Sequence, residues 1–189
     1  MTKKLMIEWV NEVLYPALRP KQKTLLLVDS WTGWNDFQPR EGVQFHVEQI
    51  PKHATGICQP LDVYVFRMWK EFTRKITQFV LVYDLEINLH DRDNIIKLQS
   101  LIHNQFQAPR FNAWLNFAWR KAGYFGDEPF PNFQHPVKYC FELSNDIDNC
   151  QKNCGNIFLL RCAYCEMHLC FEHFLPTTIC VKMHKMFAN

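Results

Sequence analysis

The sequence has no run of 18 apolar residues, so it contains no candidate membrane-spanning helix. Its first residues, MTKKLMIEWVNEV, alternate polar and apolar in a helical pattern instead of forming the apolar core of a signal peptide. A strong charge of either sign is also missing, because the net charge is only +2. Charge alone therefore neither requires nor excludes a nucleic-acid partner, and we expect an intracellular protein.

Cysteine is scarce over most of the chain and abundant at its end. Of the eight cysteines, only Cys58 and Cys140 precede residue 150. We interpret these two as buried thiols, which behave as small apolar residues. Without a signal peptide, the other six are expected to be reduced, and metal binding is then a better interpretation than disulfides.

The potential metal ligands at the end of the chain come in four closely spaced pairs. They are Cys150 and Cys154, Cys162 and Cys165, Cys170 and His173, and Cys180 and His184. Thiolate and imidazole are the preferred Zn²⁺ ligands, and eight of them suit two tetrahedral ions. The pairs could alternate between the two ions or follow one another, or the central segment could hold one ion alone. His168 is an alternative to His173.

The hydrophobic pattern predicts an α/β protein of three parts. These are an α/β domain at 1–125, a linker at 126–139 with three prolines, and a zinc module at 140–189. Helices are predicted over 5–18, 63–83, 91–104 and 111–125, and strands over 24–28 and 43–47. The first helix is expected to face the core with Leu5, Trp9 and Val13 together with Met6, Val10 and Leu14.

Two carboxylates stand where a divalent cation could bind. Asp29 directly follows the apolar run 24–28, at the end of a predicted buried strand, and Asp62 opens an aromatic-rich helix. Mg²⁺ takes oxygen ligands and commonly only one or two protein carboxylates. Two metals held in this way can perform phosphoryl transfer.

These two segments carry a family resemblance. LLLVDSWTGW and IPKHATGICQPLDVYVF resemble the second and third acidic blocks of DDE-type transposases of the pogo and Tigger branch of the Tc1/mariner superfamily, with 32 residues between the aspartates. The resemblance implies an RNase H-like fold and DNA strand cleavage with Mg²⁺ or Mn²⁺. It also implies Asp29 and Asp62 as two of three catalytic carboxylates, DNA as the partner, and a nuclear location.

Of the three catalytic carboxylates of that family, the one that comes first along the chain has no counterpart in this sequence. The only acidic residues among residues 1–23 are Glu8 and Glu12, and both lie in a helical pattern. We therefore expect a DDE endonuclease domain that is inactive as this chain. The alternatives are a non-enzymatic DNA- or protein-binding zinc module of a domesticated transposase, and a piece of a longer reading frame. The cysteine-rich end is similar to zinc modules appended to some DDE transposases.

The helix after Asp62 also carries a basic cluster with two interpretations. It consists of Arg67, Lys70, Arg74 and Lys75. Such residues are ordinary on a solvated helix face, where lysine and arginine are good helix formers. They could also contact phosphate groups.

Overall fold

The computed structural model describes residues 2–19, 22–126, 130, 132–142 and 149–174. The chain forms two compact units, residues 1–63 and 64–189. None of the described helices is long and apolar enough to cross a membrane. The predicted division at 126–139 differs from this one, and independent folding of residues 140–189 stays a prediction.

The first unit begins with a helical segment. It consists of α1 (Lys3–Trp9), a π-helical turn (Val10–Leu14) and α2 (Tyr15–Ala17). The Thr2 hydroxyl caps α1 by accepting a hydrogen bond from the Leu5 backbone N–H at 3.3 Å.

The buried side of this helical segment differs from the predicted one. Met6 and Val10 are buried, which confirms the prediction for these two, whereas Leu5, Trp9 and Val13 are exposed, so the prediction is wrong for them. The reason is that α1 packs on the short 3₁₀ turn Thr32–Trp34, which covers only a narrow strip of the helix.

The strands β1 (Thr24–Val28) and β2 (Phe45–Gln49) form a two-stranded parallel sheet. Thr24 lies opposite Phe45 and Val28 opposite Gln49, and the Ile50 N–H donates to the Val28 carbonyl at 2.8 Å. Both predicted strands are confirmed, with β2 two residues later than predicted. Parallel pairing places the carboxyl ends of both strands at one edge, next to Asp29. The helix α3 (Thr55–Cys58) follows.

The second unit is built on three helices and one hydrophobic core. The helices are α4 (Phe66–Val82), α5 (Arg92–Phe106) and α6 (Asn112–Lys121). A π-helical turn (Leu61–Val65) leads into α4, so the helix starts earlier than predicted. Phe72 is fully buried, and its ring lies 5.4 Å from that of Phe106 and 4.7 Å from that of Phe141.

The cysteine-rich segment shares this core. The helix α7 (Pro136–Phe141) starts inside the predicted linker, where a proline at the first helical positions is well tolerated. The hairpin β3 (Leu160–Arg161) and β4 (His168–Leu169) and the helix α8 (Phe171–Phe174) follow. Side chains from α7, β3 and α8 belong to the same core cluster as α4, α5 and α6, among them Val137, Tyr139, Cys140, Leu160, Phe171 and Phe174.

Candidate metal centre and carboxylates

Four potential metal ligands of the cysteine-rich segment converge. The ligand atoms of Cys150, Cys154, Cys170 and His173 all lie within 4.8 Å of one another. We call this group the Cys/His tetrad. The tetrad joins the first and third of the four ligand pairs. This is the arrangement expected if the pairs alternate between two metal ions.

Local backbone geometry positions the first pair. The backbone turns back after Cys150, where the Asn153 N–H donates to the Cys150 carbonyl at 3.2 Å and the Cys150 N–H donates to the Asn156 carbonyl at 2.8 Å. Asn153 and Gly155 have φ angles of 55° and 76°, a left-handed conformation that asparagine and glycine tolerate best. The turn holds Cys150 and Cys154 together on one side.

The third pair, Cys170 and His173, lies at the start of α8. Cys170 immediately precedes the helix and His173 lies within it, and the Phe174 N–H donates to the Cys170 carbonyl at 3.0 Å. One helical turn therefore brings the Cys170 sulfur and the His173 Nδ1 to 3.2 Å.

The spacing of the tetrad fits a tetrahedral zinc ion. A Zn–S bond of about 2.3 Å and a Zn–N bond of about 2.0 Å imply edges of about 3.8 Å between sulfurs and about 3.5 Å between sulfur and nitrogen. The Cys154 and Cys170 sulfurs are 3.8 Å apart, and the Cys150 sulfur is 3.4 Å from His173 Nδ1. The four side chains could thus hold a metal ion with little movement.

One thiol of the tetrad, that of Cys150, has a lowered pKa and therefore ionises more readily than an ordinary cysteine. Burial disfavours the thiolate of Cys150, but the backbone N–H groups of Cys170 and Lys152 and the neighbouring thiols donate to its sulfur, and its pKa falls to about 7. Burial and the neighbouring Cys154 and Cys150 raise the pKa of Cys170 to about 11. A metal ion would displace the retained protons, since thiolates are the ligands.

The second of the four ligand pairs, Cys162 and Cys165, lies in the β3–β4 hairpin and does not belong to the tetrad. Cys162 is fully buried and Cys165 is half-buried. The hairpin turn is closed by hydrogen bonds from the Glu166 N–H to the Cys162 carbonyl at 3.0 Å and from the Cys162 N–H to the Met167 carbonyl at 2.9 Å. Cys180 and His184, the pair predicted to join them, lie outside the described residues.

His168, the alternative ligand, does not belong to the tetrad. Its imidazole is buried against the Phe158 ring, with ring centres 5.1 Å apart. Burial, and secondarily the charge of Arg161, lower its pKa. Its Nδ1 has no hydrogen-bond partner among the described residues. The structure thus places His173, and not His168, beside the three cysteines.

Sequence reasoning missed Gln105, which connects α5 to the hairpin. Its side-chain oxygen accepts a hydrogen bond from the Ala163 N–H at 2.7 Å, and its Nε2 lies 3.7 Å from the Cys162 sulfur. Gln105 is buried on the same face of α5 as Leu98 and Ile102. A polar residue at a position of that apolar stripe was the available signal.

Replacing Gln105 with leucine is expected to destabilise the protein by about 1–3 kcal/mol, because the buried Ala163 N–H loses its acceptor. Urea unfolding measures the change. Gln107→Leu is the matched control, since Gln107 is exposed at the end of the same helix. Equal free energies of unfolding for the two variants would contradict the assigned role of Gln105.

The remaining predicted thiols are not in the tetrad. Cys58 is half-buried and its thiol donates to the Ala54 carbonyl at 3.3 Å. Cys140 is completely buried, and burial raises the pKa of its thiol well above the ordinary value. The prediction of a buried thiol is confirmed for Cys140, whereas Cys58 is only partly buried.

Asp29 lies directly after β1 and is exposed. Its carboxylate accepts a hydrogen bond from the Trp31 N–H at 3.2 Å, and its carbonyl accepts one from the Gln49 side chain at 3.3 Å. These contacts hold the carboxylate at the carboxyl edge of the small sheet.

Asp62 lies within the π-helical turn before α4 and is exposed. Within the described part of the chain, neither Asp62 nor Asp29 belongs to a group of three or more side chains that could ligate a metal. Among the described residues, the structure therefore assembles no complete metal-ligand group around either of the two predicted catalytic carboxylates.

Comparison with known families covers nearly the whole chain. Residues 1–122 match the DDE superfamily endonuclease family, and residues 119–181 match the Tc5 transposase C-terminal domain. No curated protein and no solved structure gives a significant match. The first match implies an RNase H-like fold, with which the β1–β2 pair and the helices are compatible. The finer assignment to the pogo and Tigger branch stays a prediction. Because the first match spans more than half of its residues, the chain belongs to the DDE superfamily endonuclease family.

Proposed function

We propose that this chain is a transposase-derived DDE endonuclease domain that is catalytically inactive, binds DNA in the nucleus and is braced by structural zinc. The observation that carries the proposal is the Cys/His tetrad, whose segment shares one hydrophobic core with α4, α5 and α6. A metal ion at the tetrad would therefore stabilise that core as well as the local turns.

Zinc is the ion that this donor set favours. Three sulfurs and one imidazole nitrogen suit zinc, whereas Mg²⁺ and Ca²⁺ require oxygen ligands. The four protein ligands complete a tetrahedron and leave no position for water, so we assign the ion a structural role. A second zinc would use Cys162, Cys165, Cys180 and His184.

The carboxylates Asp29 and Asp62 are the proposed ligands of Mg²⁺ or Mn²⁺. Such ions, when bound, activate a water or a 3′-hydroxyl and stabilise the leaving oxygen of a phosphodiester. In this chain both carboxylates are exposed, and no third ligand gathers with them among the described residues. We propose that the site is too weak for measurable cleavage, because this chemistry requires charges at fixed positions.

Plasmid nicking in Mg²⁺ or Mn²⁺ tests the catalytic part of the proposal. We expect the wild type and Asp62→Asn to show the same background nicking, while elemental analysis finds close to two zinc ions per chain. Asp36→Asn is the matched control, because Asp36 is an exposed carboxylate paired with Lys3. Nicking that Asp62→Asn abolishes and Asp36→Asn retains would show a complete catalytic site.

Binding of a labelled DNA duplex tests the remaining part. DNA binding without Asp62-dependent nicking would support a non-enzymatic DNA-binding role for this chain. A wild-type protein that retains zinc but binds no DNA would contradict the proposed partner.

A further inference from the structure

The helix α4 concentrates the positive charge of the chain. It carries Arg67, Lys70, Arg74 and Lys75 with one carboxylate, Glu71, and so has a charge of +3. The whole chain has a net charge of only +2. All four cationic side chains are exposed.

These four cations form no ion pair with any described residue. In the described part of the chain, no carboxylate lies within the 4.0 Å of an ion pair from any of them, although Glu71 is one turn away from both Arg67 and Lys75. Lys70 and Arg74 are like charges one turn apart, which slightly destabilises a helix. Ion pairing within the described fold therefore does not explain the cluster.

We call the row formed by Arg67, Lys70, Arg74 and Lys75 the cationic ridge. A groove lies on each side of this ridge. One groove, of about 390 Å³, lies between α4 and α7 and is lined by Arg67, Lys75 and Lys138 together with Glu71 and Glu142. The other, of about 500 Å³, is lined by Lys70 and Arg74. Its remaining polar residues are Thr73, Thr77, Gln78 and Gln99. Polar and cationic groups thus surround the ridge.

The length of the ridge suits a nucleic-acid backbone. Arg67 and Lys75 are eight positions apart, about 12 Å along a helix. One strand of duplex DNA carries a phosphate about every 3.4 Å of its axis, so the ridge faces three or four phosphates. We propose that the exposed face of α4, with Lys138 of α7, binds the phosphate backbone of duplex DNA. This inference rests on the proposed function, which supplies DNA as the partner.

The contact recognises charge and not base sequence. Phosphate contacts position a protein on DNA without reading bases. Binding through this face therefore has a steep salt dependence and little sequence preference.

The test compares two variants that remove the same charge. The first replaces the α4 cations with glutamine, which preserves helix propensity, at Arg67, Lys70, Arg74 and Lys75. The control replaces four exposed cations elsewhere with glutamine, at Lys23, Lys52, Arg92 and Lys97. Binding to a fluorescein-labelled 30-base-pair duplex is followed by anisotropy from about 50 to 300 mM salt, where screening weakens phosphate contacts.

We expect the α4 variant to bind at least about 20-fold more weakly than wild type, with a salt slope reduced by about 3, because each lost phosphate contact removes about 0.9 from the slope. The control variant should stay within about threefold of wild type, since its cations lie outside the proposed contact. Circular dichroism and zinc content show whether both variants fold.

Three results would overturn the inference. Equal losses in the two variants would show that net charge, and not the α4 face, governs binding. An unchanged salt slope in the α4 variant would place the phosphate contacts elsewhere while leaving DNA binding itself intact. If folded wild type binds no duplex, the proposed function fails as well.

Discussion

Replacing Cys170 with serine is expected to remove one zinc ion per chain and to lower the melting temperature by about 10 °C or more. Cys170 is a buried member of the tetrad and lies 3.8 Å from the Cys154 sulfur and 3.2 Å from His173 Nδ1. Structural zinc contributes about 10–16 kcal/mol of binding free energy in small zinc peptides, which is available as folding free energy. Elemental analysis after gel filtration and thermal unfolding measure the two effects.

The control for this experiment is Cys58→Ser. Cys58 is a half-buried thiol in the first unit, remote in sequence from the tetrad, and donates only to the Ala54 carbonyl. We expect this variant to keep the zinc content of wild type. Serine in a buried position is destabilising by itself, so wild type is also treated with a chelator. A melting temperature that the chelator leaves unchanged would contradict the bracing role of the metal.

Replacing Phe72 with alanine is expected to cost about 3–5 kcal/mol of stability, the usual range for a buried phenylalanine. Phe72 is fully buried, and its ring contacts those of Phe106 on α5 and Phe141 on α7. The core of α4 extends to Leu160 and Phe171 beside the tetrad. We therefore expect the variant to release zinc faster to a chromogenic chelator as well.

Leu81→Ala is the matched control on the same helix, because Leu81 is 73% exposed. Such a surface change usually alters stability by less than about 0.5 kcal/mol. Phe72→Ala could also lose stability without any change in zinc release. That outcome would show that the cysteine-rich segment folds separately and would support the predicted boundary at 126–139.

Local patterns were sufficient for the elements around the carboxylates. The apolar run 24–28 and the alternation of Phe45 and Val47 predicted two strands, and both exist because these patterns depend on neighbouring residues alone. Helical periodicity likewise predicted α4, α5 and α6 within a few residues at most ends. The exposure of Leu5 and Trp9 could not be read from periodicity, which does not tell how much surface a neighbouring element offers.

The candidate metal centre was predictable in its ligands but not in its pairing. Short spacing between Cys150 and Cys154, or between Cys170 and His173, indicates a chelating pair because one turn directs both side chains to one point. Which pairs meet depends on the hairpin between them, and this is tertiary structure. The role of Gln105 could not be predicted for the same reason, because its two contacts lie 57 and 58 positions away along the chain.

The order of the tetrad along the chain has a consequence for assembly. Cys154 and Cys170 are 16 positions apart, and the β3–β4 hairpin lies between them. Closing a loop of roughly this length costs entropy but takes only on the order of 0.1 μs or less. A hairpin forms more slowly, in about 1–10 μs, and it brings the two ends of the loop together. An ion bound by all four ligands would therefore close a loop that contains the folded hairpin. Its release would require this loop to open, and the loss of one ligand alone would not be enough.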